Sequence, residues 1–429
     1  MPKISNINEL AKTPLRRAAL EIAEAGLQAI DTERVIRRSV RIEGDTLFVG
    51  DDTFALNAGG RVVVIAIGKC ALGASSVLED ILGDHLAKGT ALYIGGEAQL
   101  KKMQGFRGTH PLPSDDNVRG ASAILATLKG LTEADFVIFI ISGGGSTLLC
   151  LPEDKGCVEE KMIVATLMRA GATIQETNTV RKHLSLARGG YLAQYAYPAR
   201  STSLIFSDVP GNDLEFIASG PTVKDTTTIA DAETILSKYN VLQLCGLEKC
   251  GLVETPKDEK YFAVARALLV VSNEEALKAM EARASELGFA AHIHDAALSG
   301  ESREVSAKVA GALRAAPPKT ALLYGGETTV TVRGKGRGGR NLEFALAALG
   351  AVGADELVMS VASDGRDNGA FAGAISDIMT RQAADEKGVN ISAALQENDG
   401  YPFFEAVGNY LVTGDTGSNV SDLIIAIKD

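Results

Sequence analysis

The chain has 429 residues, 46% hydrophobic and 23% charged, which is long enough for two cores and too apolar for a disordered protein. Its 43 basic and 54 acidic side chains leave a net charge of −11 with no basic stripe to offset it. That argues against a nucleic-acid partner and still allows an anionic small substrate at a few local cations.

No apolar run approaches the ~20 residues of a membrane helix, and the first residues lack the apolar stretch of a secretory signal. The five cysteines, Cys70, Cys150, Cys157, Cys245 and Cys250, are scattered and fit no zinc spacing. A reduced, cytoplasmic protein without a membrane partner is expected.

In chain order, residues 7–39 have the apolar spacing of one amphipathic helix. "RVVVIAIGK" then runs apolar to Gly68 and meets a Gly/Ala/Ser-rich helix start, and "TALYIGG", "DFVIFIISGGG", "TSLIFSDVPGND" and "RALLVVSNEEALKAMEARASELG" repeat the arrangement. Short buried strands alternating with helices predict an α/β fold: a Rossmann-like parallel sheet with helices on both faces. Weak periodicity with Gly, Pro and clustered charge over 240–262 predicts a linker, dividing an N-terminal domain, 1–240, from a smaller C-terminal α/β domain, 241–429. There, "KTALLYGGETTVTVRGKGRGGRNLEFALAALG" reads as two strands, a basic glycine loop and a helix. The last strand is placed in the second domain, with a return to the first as the alternative.

In such sheets ligands gather at the carboxyl ends of strands, where the glycines of this chain fall. Ser142-Gly143-Gly144-Gly145-Ser146 joins a strand to a helix start, so its N–H groups can approach an anion; a tight turn without ligand is the alternative. Lys69 opposes the dipole of the helix it begins, a locally unfavourable choice that suits charge neutralisation. Gly334, Gly336 and Gly339 match the dinucleotide spacing, with Asp364 at the distance of a ribose contact, which makes an NAD(P)H-dependent oxidoreductase the second reading. Lys335, Arg337 and Arg340 in the same loop suit phosphates or a carboxylate better. Asp208, Asp213, Asp364 and Asp367 lie at strand ends, where hard oxygens suit Mg²⁺ and a carboxylate can take a hydroxyl proton, although Asp-Gly and Asn-Asp also simply form turns. Arg181, Lys182, His183 and Arg188 share two turns of one helix; Arg181 and Lys182 are placed to reach a substrate carboxylate.

Eight stretches, "GKCALGAS", "THPLPSDDN", "SGGGSTLL", "ETNTVRKHLSLARGGYLA", "FSDVPGNDLEFIASGPTVKD", "GGETTVTVRGKGRGGRNLEFAL", "ASDGRDNGAFAGA" and "VTGDTGSNVSDL", together resemble the glycerate 2-kinases whose C-terminal domain is named for a multi-organism Arg-rich motif. The resemblance spans roughly residues 8–425. It implies ATP-dependent phosphorylation of D-glycerate at its 2-hydroxyl to give 2-phosphoglycerate and ADP, with a divalent metal such as Mg²⁺. It also implies two α/β domains with the active site in the cleft between them, and catalytic roles for Lys69 and Arg340.

On that basis the 142–146 loop binds nucleotide phosphate or the glycerate carboxylate. Gly325-Gly326-Glu327-Thr328 and the loop carrying Gly336, Gly339, Arg340 and Asn341 cover the phosphates. Asp208 or Asp364 holds metal or accepts the hydroxyl proton. The partners are then D-glycerate and ATP, in a monomer or homodimer. Members of the family were often labelled hydroxypyruvate reductase. Asn212, where an acidic residue is expected, together with Asn368-Gly369 and Asp415 at other departures, leaves open another 2-hydroxy acid substrate.

Overall fold

The computed structural model describes residues 2–56, 59–97, 99–153, 158–209 and 211–429, so Cys157 lies outside the described residues. Two compact units are present, Val35–Val270 on the one hand and Met1–Arg34 with Val271–Asp429 on the other. Both are α/β. The boundary expected after residue 240 thus falls inside the first unit, and the N-terminal helices belong with the C-terminal half. Among the described residues no helix is long and apolar enough to cross a membrane.

In the first unit six strands run in the order Gln104–Arg107, Leu86–Tyr93, Val62–Gly68, Phe136–Ile141, Arg200–Phe206, Ala265–Val271. The pairings among the first five are all parallel. Val62–Gly68 and Phe136–Ile141 are buried at every position, as continuous apolar runs covered on both faces should be. Chain order reverses between these two strands, so the crevice at their carboxyl ends is the topological switch point where α/β sheets hold ligands. Lys69 and Ser142 are the next residues of the two strands. A three-stranded antiparallel sheet, Val40–Glu43, Thr46–Val49 and Asp52–Ala55, precedes them. The 240–262 segment is no linker between units. Leu247 and Leu252 pack on a small core with Val180 and Leu236, and Val253 N–H donates to His183 O at 2.8 Å.

The second unit has a mixed sheet ordered Ala290–Glu301, Thr320–Thr329, Asp422–Lys428, Glu356–Ala362, Gly373–Ser376, Tyr410–Leu411. The closing strand Asp422–Lys428 lies inside it, antiparallel to both neighbours. The single helix expected over 7–39 is three: Ile7–Leu10, Pro14–Ala29 and Thr32–Ser39. Thr13 and Pro14 cause the first break, since Thr13 Oγ1 accepts from Arg16 N–H at 3.2 Å and Pro14 takes the first helical position, which needs no N–H. Pro14–Ala29 packs on Asn273–Glu286 so closely that a Cβ at Gly26 would stand 2.7 Å from Met280 Cγ.

Candidate active site

At the switch point of the first unit the two strand ends are tied together. Ser142 Oγ donates to Ile67 O at 3.1 Å and accepts from Cys70 N–H at 3.2 Å, while Lys69 N–H donates to Gly143 O at 3.0 Å. The glycines that follow are required by close neighbours. A Cβ on Gly143 would lie 2.0 Å from Asp208 Oδ2, one on Gly145 2.5 Å from Ala218 Cβ, and Gly144 has φ +84°. The helix they open, Gly145–Leu148, is a single turn, so the dipole expected to help hold an anion is small. What comes close to this backbone is the Asp208 carboxylate.

That carboxylate lines a cavity of about 360 Å³ with Gly143, Gly144, Ser146, Asn178, Arg181 and His110. The helix Ile174–Lys182 lines it with Ile174, Gln175, Asn178 and Arg181, and its start is fixed by a capping box between Thr173 and Glu176. Arg181 Nε is buried with no hydrogen-bond acceptor, and burial together with the nearby Arg188 lowers its pKa to about 10. Behind it, Arg188 Nη1 donates to Arg181 O at 2.8 Å, and Arg188 Nη2 pairs with Glu160 at 2.7 Å. Arg188 therefore closes the helix end and has its own counter-ion. Lys182 is turned away from any binding role, because its fully buried amine is bonded to Asp225 and Glu215. His183 is buried too, with Nδ1 at 2.9 Å from Val253 O.

Behind the loop, Ser219 Oγ bonds Ser146 Oγ at 2.8 Å and Asn178 Oδ1 at 3.3 Å. Ala218, Ser219 and Gly220 all have positive φ, of 52°, 59° and 56°. Two such non-glycine residues in succession are a strained arrangement of the kind that collects at functional sites. His110 packs over Gly144, and burial with Lys69 and Arg181 nearby holds its imidazole below the ordinary value, hence neutral near pH 7. Lys69 itself is exposed.

The second unit organises its polar residues around Arg340, the first residue of the helix Arg340–Ala348. Arg340 Nε donates to Asp422 at 2.6 Å and Nη1 to Glu327 at 2.7 Å. Asn341 Nδ2 bonds the other Asp422 oxygen at 2.8 Å, and Ser360 Oγ donates to Asn341 Oδ1 at 2.6 Å. Burial pushes the Asp422 carboxyl up to about 6 and also raises Asp367. Asp367 accepts from the N–H groups of Asn341 and Leu342 at 3.1 and 2.8 Å, so the helix start is already capped.

Gly325, Gly326, Glu327 and Thr328 lie inside the strand Thr320–Thr329 and not in a loop. A Cβ on Gly325 would meet Asn273 and one on Gly326 the Leu298 backbone. Residues 330–333, expected as a strand, are irregular because Thr331 and Arg333 N–H are taken by Glu301 and Asn398 side chains. Gly334 and Gly336 let the loop lie on the backbone of Glu397, to whose carbonyl Gly336 N–H donates at 2.8 Å. The N–H groups of residues 333–337 are all spent on the 397–399 segment, which leaves those five unavailable to a dinucleotide pyrophosphate. Arg340, Glu327, Asp364 and Gly339 line a second cavity of about 560 Å³.

The chain matches a domain of unknown function, DUF4147, over residues 18–246 and the MOFRL family over 320–422. It is 36% identical to the glycerate 2-kinase of Pyrococcus horikoshii, over 96% of this chain and 97% of that one. The crystal structure of the Thermotoga maritima glycerate kinase superposes with a TM-score of 0.85 at 31% identity, covering 97% of this chain and 99% of the other. The chain belongs to the glycerate kinase family. A relative from Agrobacterium vitis, 37% identical over 85% of this chain and 86% of its own, is named a putative hydroxypyruvate reductase.

For a glycerate kinase chain, the first cavity holds more than the sequence disclosed. Asn178 and His110 on the cavity, and Ser219 behind it, lie in stretches that carry the family resemblance but were given no role there; the run of positive φ at Ala218 and Ser219 is invisible in the letters "IASGPT". Asn212, at φ +54°, takes a left-handed conformation that asparagine tolerates well. Among the described residues no three His, Cys, Asp or Glu side chains group to hold a metal by themselves. The carboxylates on each cavity, Asp208 and Asp213 on the first and Glu327, Glu343, Asp364 and Asp367 on the second, still fit Mg²⁺, which commonly takes one or two carboxylates plus substrate phosphates.

Proposed function

We propose that this protein is a glycerate 2-kinase that transfers the γ-phosphoryl group of ATP to the 2-hydroxyl of D-glycerate, releasing 2-phosphoglycerate and ADP. Likeness to glycerate kinases over nearly the whole chain supports the reaction class. The observation that carries the chemistry is Arg181, whose Nε is buried without a hydrogen-bond acceptor on a small cavity at the sheet's switch point.

Phosphoryl transfer asks mainly for positioning and charge stabilisation. Lys69 and Arg340 supply positive charge to the transferring group. Asp422 fixes Arg340 through Nε, and an incoming phosphate oxygen competes with the half-exposed Glu327 for Nη1. Asp208 Oδ accepts the proton of the 2-hydroxyl, and the neutral His110 adds a hydrogen bond without adding charge. A divalent ion would be held by Asp364 together with phosphate oxygens, where it neutralises phosphate charge.

A coupled ADP assay tests the reading, with product position fixed by phosphorus NMR. ADP formation should depend strictly on D-glycerate, and NAD(P)H should not be oxidised by hydroxypyruvate. Arg340→Ala should lower kcat about 10²-fold or more while the circular dichroism spectrum persists. Near-normal turnover by that variant would remove Arg340 from the mechanism.

A further inference from the structure

Lys257 lines neither cavity, yet the first unit builds an oxygen cage around its amine. Lys257 Nζ donates to Asp225 O at 3.0 Å, Thr227 O at 2.5 Å and Thr255 Oγ1 at 2.6 Å. An ammonium has three donors, and all three are matched here by protein oxygens. Carboxylate oxygens of Glu254 and Asp225 stand further off, at 3.5 and 3.9 Å.

The walls of this cage are held by bonds that do not involve Lys257. Asp225 Oδ1 accepts from Thr227 N–H at 2.9 Å, a local turn of the kind aspartate favours, which fixes residues 225–227. Thr255 Oγ1 donates to Asp225 Oδ2 at 2.9 Å. Glu254 accepts from Thr255 N–H at 3.0 Å and from Ile229 N–H at 3.2 Å. Asp225 and Thr255 are only 1% and 2% exposed, and Asp225 has a counter-ion of its own in Lys182 at 2.5 Å. Deleting the Lys257 side chain therefore leaves an oxygen wall standing with one positive charge missing, and buried acceptors left without a donor are costly. The Lys257 side chain is 36% exposed, so a free ion can reach the cage from solvent.

Which ion would replace the amine follows from the donor set. The three nearest oxygens are two carbonyls and a hydroxyl, all uncharged. Uncharged carbonyl oxygens replace the hydration shell of K⁺, whereas Mg²⁺ keeps its waters and both Mg²⁺ and Ca²⁺ favour carboxylates. The nearer carboxylate, Glu254, lies outside the inner ring, and Asp225 is already neutralised by Lys182.

We propose that Lys257 is a tethered monovalent cation: its ammonium occupies a site suited to K⁺ or NH₄⁺, joins residues 225–227 to 254–257, and spares this chain a free ion there. The assignment rests on the cage alone and is independent of the kinase reading.

The experiment compares two variants of the full chain in three salts. Lys257→Ala opens the cage, and Lys257→Met fills it with an apolar group of similar length. Melting temperatures are measured in KCl, NH₄Cl and tetramethylammonium chloride at one ionic strength. In tetramethylammonium chloride, whose cation is too large to enter, both variants should melt about 4 °C or more below the wild type. K⁺ and NH₄⁺ should return about half of that loss or more to Lys257→Ala, and the gain should rise with ion concentration as mass action requires. Lys257→Met should gain nothing, and the wild type should melt alike in all three salts. If Lys257→Ala folds only when KCl or NH₄Cl is present, the site is supported equally. Equal melting of Lys257→Ala in the three salts, equal recovery of Lys257→Met, failure of Lys257→Ala to fold in any of them, or recovery by MgCl₂ alone overturns the assignment.

Discussion

Asp422 is 1% exposed and flanked by Arg340, Asn341 and the like-charged Asp367. Its folded-state pKa of about 6 stands above the ordinary carboxylate value of about 4, so the folded protein holds this proton more tightly than the unfolded chain does. Lowering the pH through that window therefore stabilises the folded state at this site, and raising it withdraws the contribution. Asp422→Asn removes the titration. The melting temperature of this variant relative to wild type should be more favourable at pH 7 than at pH 4.5; a difference independent of pH would show that Asp422 does not titrate there. Asp377 has the opposite sign, since the Arg16 fork at 2.6 and 2.7 Å holds it below the ordinary value despite burial. Its contribution is present at neutral pH and is lost on strong acidification.

At the scale of elements, the loop 142–146 shows both the reach and the limit of sequence reasoning. Strand, glycines and position at the carboxyl end of the sheet were legible because they follow from periodicity and from the backbone freedom of glycine. The reason for the glycines was not, because it lies in residues 65 and 73 positions further along the chain, Asp208 and Ala218. Gly143→Ala should accordingly displace Asp208, with loss of at least 10-fold in kcat and a lower melting temperature. Unchanged kinetics would show that the Asp208 position is not critical. The basic loop after residue 333 misled for a related reason. Its glycines serve contact with Glu397 and Asp399, and a G-x-G-x-x-G pattern records close approach without recording what approaches. Lys182 and Arg181 are adjacent in sequence with the same charge, and only burial beside Asp225 separates an internal ion pair from an open cation.

At the scale of the whole molecule, alternating strands and helices sufficed for two α/β units, while the path of the chain between them escaped notice. An N-terminal amphipathic helix carries no sign of which sheet it covers. Here Pro14–Ala29 lies on Asn273–Glu286, and fully buried Arg16 bonds Asp377. Deleting residues 1–34 would strand the Asp377 carboxylate and uncover Met280. Breaking a buried pair in this way costs about 3–5 kcal/mol, comparable with the stability of a whole domain. Hydrogen exchange on the truncated chain should show protection lost across 271–429 and retained across 35–270. Uniform retention would mean the N-terminal helices are dispensable.

The same connectivity dictates a timetable during synthesis. The helix Pro14–Ala29 leaves the ribosome well before its partner surface, Asn273–Glu286, is made, since an entire intervening unit is synthesised between them and can fold. Until then its apolar face is uncovered, and the nascent chain must carry a sticky leading segment past a finished neighbour for most of the time translation takes.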